Sequence, residues 1–367
     1  MRGVFMIRQK GINFSVLVLI VLAAWLMMYS LFMTERTMET VLTSLRVFVH
    51  SILPLLSVFS VCTKLFVKTN AFRRLIPVRG RSFLQSLGMS EAGCSVFLLG
   101  LFAGFPTGAM MLSELCEKGE ISSREAESLL PFCNQASVIF LFGTLGNHIL
   151  GDPRMGFVFF FAQTTTAIVC LCLTAPSRYG REAFRITKEY PGATFVSVLI
   201  SSVRETVFSM IGVCGFFVFF SLIGTVLTDT LSALGFPSGK LFCAMLKGCL
   251  EMSSGFFSLS EDSFSLEVLL VVGGVLLGFG GISVFMQAID RTESVFFAPR
   301  KYFEGKVLSG VLCPIFSVLF FFLYERKGGK FLIIMASVLI FLIFYLLNDV
   351  KIKFFSKKCG KIERNAV

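Results

Sequence analysis

Two glycine-rich stretches combine the residue types that best suit the binding of a small molecule. The first reads Gly104-Phe-Pro-Thr-Gly108 and places a proline between two glycines inside an apolar segment. Because proline lacks an N–H donor and ends a helix, we predict a break here, with Pro106, Thr107 and Gly108 beginning a second half-helix. The free N–H groups and positive dipole of such an N-terminus suit an anion. The alternative is a kinked spanning helix that packs through its Gly-x-x-x-Gly pattern.

The second stretch places two charges, Lys247 and Glu251, inside an apolar segment. They are four residues apart, so on a continuous helix they would share a face and could pair. A charge at the bilayer centre costs about 2.5–3.5 kcal/mol, which favours residues that face a cavity or a partner. Alternatively, both lie near the interface and extend toward water. Ser253, Ser254 and Gly255 are predicted to present another half-helix N-terminus.

Each stretch is followed by an apolar segment with polar or small residues at its middle. Asn134 lies 28 positions after Pro106, and Gly281 lies 28 positions after Ser253. We predict that these segments complete one substrate site, the alternative being hydrogen bonds between helices, worth about 0.6 kcal/mol each. Their candidate substrate-binding residues are Asn134, Gln135, Ser137, Gly280, Gly281, Ser283 and Gln287.

The composition indicates a membrane protein and argues against an enzyme. Hydrophobic residues make up 55% of the 367 residues, charged residues 16%, and mean hydropathy is +0.80, which no soluble core accommodates. Two histidines and eleven cysteines without a Cys-x-x-Cys pair predict no metal site, no cofactor and no catalytic residue. The net charge of +11 is spread between apolar runs, so we expect a lipid bilayer and not nucleic acid as the partner.

The basic loops restrict the topology of ten apolar segments. Six Lys or Arg residues fall in 64–92, five in 176–205, four in 289–306 and six in 351–364, so these regions should share the cytoplasmic side. They do so if 94–115 and 241–259 enter the membrane and return. We therefore predict an all-α polytopic membrane protein with about eight transmembrane helices, two re-entrant hairpins in an inverted repeat and both termini cytoplasmic. The basic loop 325–330 falls outside in this scheme.

The predicted organisation has five parts. An N-terminal anchor helix occupies 1–40, and a basic cytoplasmic loop at 176–205 separates two repeats. The first repeat, 41–175, holds a helix, the hairpin 94–115 and helices 129–150 and 155–175. The second repeat, 206–324, is inverted and holds a helix, the hairpin 241–259 and helices 266–288 and 306–324. A last transmembrane helix and a basic tail occupy 325–367.

Several short motifs together resemble one bacterial family. Gly104-Phe-Pro-Thr-Gly108-Ala, Cys116-Glu-Lys-Gly119 and Phe132-Cys-Asn134 are similar to motifs of the YlbJ/SpoVV family of sporulation integral membrane proteins. Glu251-x-x-x-Gly255 and the stretch from Gly280 to Gln287 resemble that family's second-half motifs. The family belongs to the Gate, or nucleoside-recognition, group, which also includes parts of nucleoside and ferrous-iron transporters.

The resemblance implies a transporter that moves dipicolinic acid, or a similar small organic anion, across the outer forespore membrane during sporulation. One alternative is a nucleoside or other small-solute secondary transporter of the same fold. A second alternative is a non-transporting membrane scaffold in spore-envelope assembly. The expected partners are a small anionic substrate and the bilayer, and a homo-oligomer is compatible with this interpretation.

Overall fold

A computed structural model describes residues 14–69, 89–174, 194–236, 239–262, 264–296, 298–340 and 343. The described residues are helical and contain no strand. The helices are α1 Phe14–Phe32, α2 Thr34–Val47, α3 Leu53–Lys68, α4 Glu91–Ala103, α5 Thr107–Glu117, α6 Ser123–Cys133, α7 Pro153–Thr174, α8 Phe195–Ala233, α9 Lys240–Leu250, α10 Met252–Glu261, α11 Leu266–Phe279, α12 Ile282–Thr292, α13 Pro299–Tyr324 and α14 Gly329–Ile340. Two π-helical segments, Phe48–Ile52 and Phe140–Ile149, complete the described elements.

Five helical segments in the described ranges are long and apolar enough to cross a bilayer. They are α1, α7, α8, α11 with α12 as Leu266–Thr292, and α13. A sixth span is formed if the bent pair Thr34–Ile52 and Leu56–Phe66, which meet at 53°, counts as one. The all-helical membrane fold agrees with the sequence. The predicted tail 351–367 and most of the loop 176–205 lie outside the described residues.

The start of α8 differs from the sequence prediction because polar side chains are satisfied within the fold. Helix α8 begins at Phe195, where the Thr194 side chain caps it, although the apolar run begins only at 206. Its first turns pair with α3, since Lys68 donates to Ser201 at 2.9 Å and to Glu205 at 2.6 Å. Lys64 also donates to Glu205, at 3.3 Å. The C-terminal end of α3 and the N-terminal part of α8 therefore lie side by side.

Helices α4 and α5 fold back on each other at the break around Pro106. A Cβ added at Gly100 on α4 would lie 3.0 Å from the Cys133 carbonyl carbon, and one at Gly108 on α5 would lie 2.7 Å from the same atom. Eight residues of continuous helix span about 12 Å, so two such residues reach one carbonyl only in a hairpin. The glycine spacing thus provides close packing, while Pro106 provides the break.

Helices α9 and α10 form a second, tighter hairpin. A Cβ added at Gly255 would lie 2.8 Å from the backbone nitrogen of Gly248, so the two helices touch directly beside the turn. The turn is Glu251, whose extended backbone (φ −141°, ψ 112°) interrupts the helix for one residue. Glycine is required at 255 because a side chain there would separate the two helices, whereas a Cβ on Gly248 would meet the Leu276 side chain of α11 at 2.6 Å.

Each hairpin turn sits against the break of a following helix. At the first, the Phe105 N–H donates to the Gln135 carbonyl at 2.8 Å, and Gly104 at φ +79° lies against Ser137. At the second, a Cβ on Gly281 (φ +90°), which lies between α11 and α12, would be 3.1 Å from the Met252 nitrogen. The same local arrangement therefore occurs in both halves of the chain.

The core around these breaks is built from α7, α11 and α13. A Cβ at Gly278 would lie 2.6 Å from the Ser309 carbonyl carbon, and Gly274 approaches Pro314 equally closely, so small residues let α11 contact α13 backbone to backbone. Phe159, Phe256 and Phe320 fill the adjacent interior and are fully buried. In contrast, α1 has no buried residue, as expected of a helix that faces lipid.

Candidate functional site

A cavity lies where both hairpin turns meet the helix breaks. Its volume is about 40 Å³, room for a few water molecules. Gly104 and Phe105 from the first hairpin line it together with Phe140 of the π-helical segment and Phe217 of α8. The polar residues of its wall are Ser51, Ser137, Thr144, Glu251, Ser253 and Gln287. The wall is thus mainly apolar and aromatic, with a few polar groups from both halves.

Glu251 is the charged residue of the cavity wall. Its side chain is buried, and its Oε2 accepts a hydrogen bond from the backbone N–H of Ser254 at 2.7 Å, capping α10. Aspartate and glutamate favour helix N-termini because the dipole and free N–H groups there stabilise negative charge. The carboxylate has no cationic partner in the described ranges.

Lys247 does not pair with Glu251. An ion pair four residues apart needs a continuous helix, but α9 ends at Leu250 and Glu251 is extended. The aliphatic part of Lys247 instead packs against α8, where a Cβ on Gly224 would lie 3.3 Å from the lysine Cγ. The sequence prediction of this pair was therefore wrong for the described conformation.

Gln287 on α12 contributes an unsatisfied acceptor to the cavity. Its Nε2 donates to Ser283 Oγ at 3.1 Å, whereas its buried Oε1 has no hydrogen-bond partner among the described residues. A buried acceptor without a donor costs about 1–3 kcal/mol. A ligand or side chain that donates a hydrogen bond to Gln287 Oε1 would recover this cost.

The break after α6 is held by two residues of α13 that sequence reasoning missed. The Lys306 ammonium donates to the Asn134 carbonyl at 2.7 Å, and Asn134 Nδ2 donates to the Tyr302 hydroxyl at 3.0 Å. Lys306 is only 2% exposed. The sequence interpretation counted it with the loop 289–306, which is corrected here: α13 already begins at Pro299, so Lys306 lies two turns inside the helix.

A third missed residue, Gln163 on α7, stabilises the same break from the other side. Its Oε1 accepts from the Ala136 N–H at 3.2 Å, and its Nε2 donates to the Ala136 carbonyl at 3.0 Å. One amide thereby replaces both hydrogen bonds that the interrupted helix loses at this residue. The signal was present in the sequence, because Gln163 is a lone amide within the apolar run 155–175.

The predicted site residues divide into cavity wall and supporting shell. Ser137, Glu251, Ser253 and Gln287 line the cavity. Lys247 packs against α8. The others support the breaks around the cavity: Pro106, Thr107, Gly108, Asn134, Gln135, Ser254, Gly255, Gly280, Gly281 and Ser283. Within this shell, Thr107 and Asn134 each retain a buried oxygen without a partner in the described part of the chain.

The electrostatics of the site are uneven. The acidic side chain of Glu251 lies in the cavity wall. The buried ammonium of Lys306 lies behind the break between α11 and α12, where a Cβ on Gly280 would be 4.0 Å from the lysine Nζ. The N-terminus of α5 has no side-chain cap. The Thr107 N–H donates to the Gly104 carbonyl at 2.9 Å, so the N–H groups of Gly108 and Ala109 are the ones that could serve an anion. In the described ranges no group of three His, Cys, Asp or Glu side chains is placed to hold a metal ion.

Comparison with known proteins identifies a distant relative of matching length. The chain is 24% identical to the sporulation integral membrane protein YlbJ of Bacillus subtilis (strain 168), over 78% of each chain. This similarity supports assignment to the YlbJ family, as the motifs predict. No family model matches the chain, and no solved structure matches it. The relative's name and the apolar helices together support a multi-pass integral membrane protein.

Proposed function

We propose that this chain is a membrane transporter for dipicolinate or a similar small aromatic carboxylate, acting during sporulation. The observation that carries the proposal is the cavity at which two helical hairpins and two further helix breaks meet. Interrupted helices are tolerated at membrane depth where they line a cavity, and secondary transporters place their substrate sites at such breaks. The sporulation protein that the chain resembles supports the cellular context.

The cavity chemistry suits a flat ring with polar edges. Phe105, Phe140 and Phe217 provide aromatic surface for a ring, while Ser137 and Ser253 provide hydroxyl donors for carboxylate oxygens. The uncapped N-terminus of α5 adds backbone N–H groups close to the turn that lines the cavity. These donors bind an anion without a fixed positive charge in the wall, which favours release as well as binding.

The proposed topology has eight spanning helices, two re-entrant hairpins in an inverted repeat and cytoplasmic termini, in the outer forespore membrane. The contacts of Lys64 and Lys68 with Glu205 support it, because they place the chain ends that lead into the two basic loops side by side. The repeated pairing of a hairpin turn with a helix break supports the repeat. A homo-oligomer is compatible with this topology.

A nucleoside is the second candidate substrate, and one observation favours it. The charged residue of the cavity wall is acidic, and the amide of Gln287 lines the same cavity. Neutral polar groups and one carboxylate suit a ribose and a base, and a carboxylate repels an ionised dicarboxylate. The two substrates are therefore compared directly.

Uptake into vesicles that contain only this purified protein tests the proposal. Radiolabelled dipicolinate is expected to accumulate in the vesicles, and radiolabelled uridine is not. Accumulation is compared with and without a pH gradient. Uridine uptake alone would assign the nucleoside function. Uptake of neither solute, together with normal spore dipicolinate in cells lacking the protein, would favour a membrane scaffold. Asn134→Ala and Glu251→Ala should both reduce uptake, and unchanged uptake in both would count against this site.

A further inference from the structure

We propose that Glu251 is a tethered carboxylate that occupies the position of a substrate carboxylate, so that one proton binds to Glu251 for each substrate bound. The inference rests on the proposed function and deepens it, because it assigns proton coupling to a named residue. Transport would then be driven by a proton gradient and would carry an anion together with a proton.

The geometry places one anion position at the N-terminus of α10. The backbone N–H groups of Ser253 and Ser254 are directed at the Glu251 carboxylate, with Ser254 N at 2.7 Å from Oε2. Free N–H groups at a helix N-terminus form an anion site for carboxylates in general. Glu251 and Ser253 both line the cavity, so an external carboxylate in the cavity reaches the same donors. The two carboxylates therefore compete for one set of N–H groups.

The unsatisfied acceptor of Gln287 is the second, independent observation. Its Oε1 is buried, has no donor among the described residues, and belongs to the same cavity wall. An ionised Glu251 has only acceptors and cannot satisfy it. A protonated Glu251 carries an O–H donor, so protonation would supply what the amide oxygen lacks and would free the N–H groups of α10 for the substrate.

Among the described residues no side chain forms an ion pair with Glu251, and the buried Lys306 ammonium donates instead to the Asn134 carbonyl at 2.7 Å. From the elements that line the cavity, the facing side chains are Ser51 and Thr144 of the π-helical segments, Val213 and Phe217 of α8, and Gln287 of α12. On α9, Lys247 packs against α8 and forms no ion pair in the described ranges. On α12, the charged residues Asp290 and Arg291 pair with each other at 3.4 Å.

The exchange balances protons and the hydrogen bonds at the N-terminus of α10. A proton from the side where the substrate binds joins a Glu251 oxygen, and the Ser253 and Ser254 N–H groups transfer from that carboxyl to a substrate carboxylate. On the opposite side the substrate leaves, Glu251 releases its proton to water, and its carboxylate caps α10 again. No covalent bond to the substrate forms, and each cycle moves one proton with each substrate.

Calorimetric binding of dipicolinate to the purified protein, between pH 6 and 8 in two buffers of different ionisation enthalpy, tests the inference. The wild-type protein is expected to take up about one proton per bound dipicolinate. Its affinity for dipicolinate should therefore fall by up to about tenfold for each unit by which the pH rises. Glu251→Gln, a permanent mimic of the protonated state, should bind without proton uptake and with a flat pH profile. Glu261→Gln, at the exposed end of the same helix, should behave as wild type.

The outcomes separate the inference from the proposed function. Binding without proton uptake in wild type, or equal uptake in wild type and Glu251→Gln, overturns the inference and leaves the transport function in place. Absence of dipicolinate binding in all variants overturns the proposed function. If Glu251→Gln does not fold, infrared difference spectra of wild type decide: dipicolinate should produce the C=O band of a newly protonated carboxyl group, and no such band would overturn the inference.

Discussion

Replacing Gly108 by alanine should separate the two breaks that frame the cavity. A Cβ at this position would lie 2.7 Å from the Cys133 carbonyl carbon and 3.1 Å from the Asn134 Cα. Because carbon atoms pack at about 3.5–4.0 Å, the backbone at 133–134 must move by about 1 Å. Overpacking of this kind costs about 1–3 kcal/mol, and the gain of alanine over glycine within a helix offsets about 0.5–1 kcal/mol.

The matched control is Gly215→Ala on α8, an exposed helical glycine with no atom within 4 Å of an added Cβ. This variant gains the same stabilisation from alanine in a helix but has no steric clash. The difference in stability between the two variants therefore measures the cost of the clash. We expect Gly108→Ala to unfold at a temperature a few degrees below Gly215→Ala, and also below wild type.

A thiol-reactive fluorophore measures the unfolding temperature of each variant in detergent at a fixed scan rate. It reports unfolding because Cys133, Cys170 and Cys313 are buried and react only on unfolding. Gly100→Ala approaches the same carbonyl, so the double variant should cost less than the sum of the single variants. Equal melting of Gly108→Ala and Gly215→Ala would refute the close approach and with it the packing of the first hairpin on the α6 break.

Three further predictions follow from the same framework. Gln163→Leu leaves the N–H and C=O of Ala136 unpaired and should cost about 2–6 kcal/mol, seen as a lower melting temperature, whereas wild-type melting would exclude its bracing role. Lys306→Met removes the donor to the break carbonyl and should also lower the melting temperature; an unchanged value would mean that burying the charge costs as much as the bond contributes. In a cysteine-free background produced in the plasma membrane of non-sporulating cells, an impermeant maleimide should label Arg326→Cys from outside intact cells but Glu293→Cys only after permeabilisation, and the reverse pattern would invert the proposed topology.

Residue type and spacing located the break at Pro106 but not the breaks inside the predicted helices 129–150 and 266–288, which the structure interrupts at 134–137 and 280–281. Glycines such as Gly280 and Gly281 fit a continuous helix as well as a break, whereas proline ends a helix because it lacks an N–H donor, so the break at Pro106 was predictable. The position of Gly248 against Gly255 was not, because both glycines fit a continuous helix or a hairpin equally well. Only the interruption at Glu251 decides between these, and one extended residue has no sequence pattern.

The sequence by itself determined the membrane class, the ten apolar segments and the polar residues expected near the breaks, because hydropathy and chain breaking are local properties. The tertiary structure alone decided which of those residues share a cavity. It separated Lys247 from Glu251, since the pair requires a helix that the fold interrupts, and it placed Lys306 inside α13, since an ammonium can be buried where a broken helix offers it a carbonyl. Such contacts join residues far apart in the chain, and no local pattern specifies them.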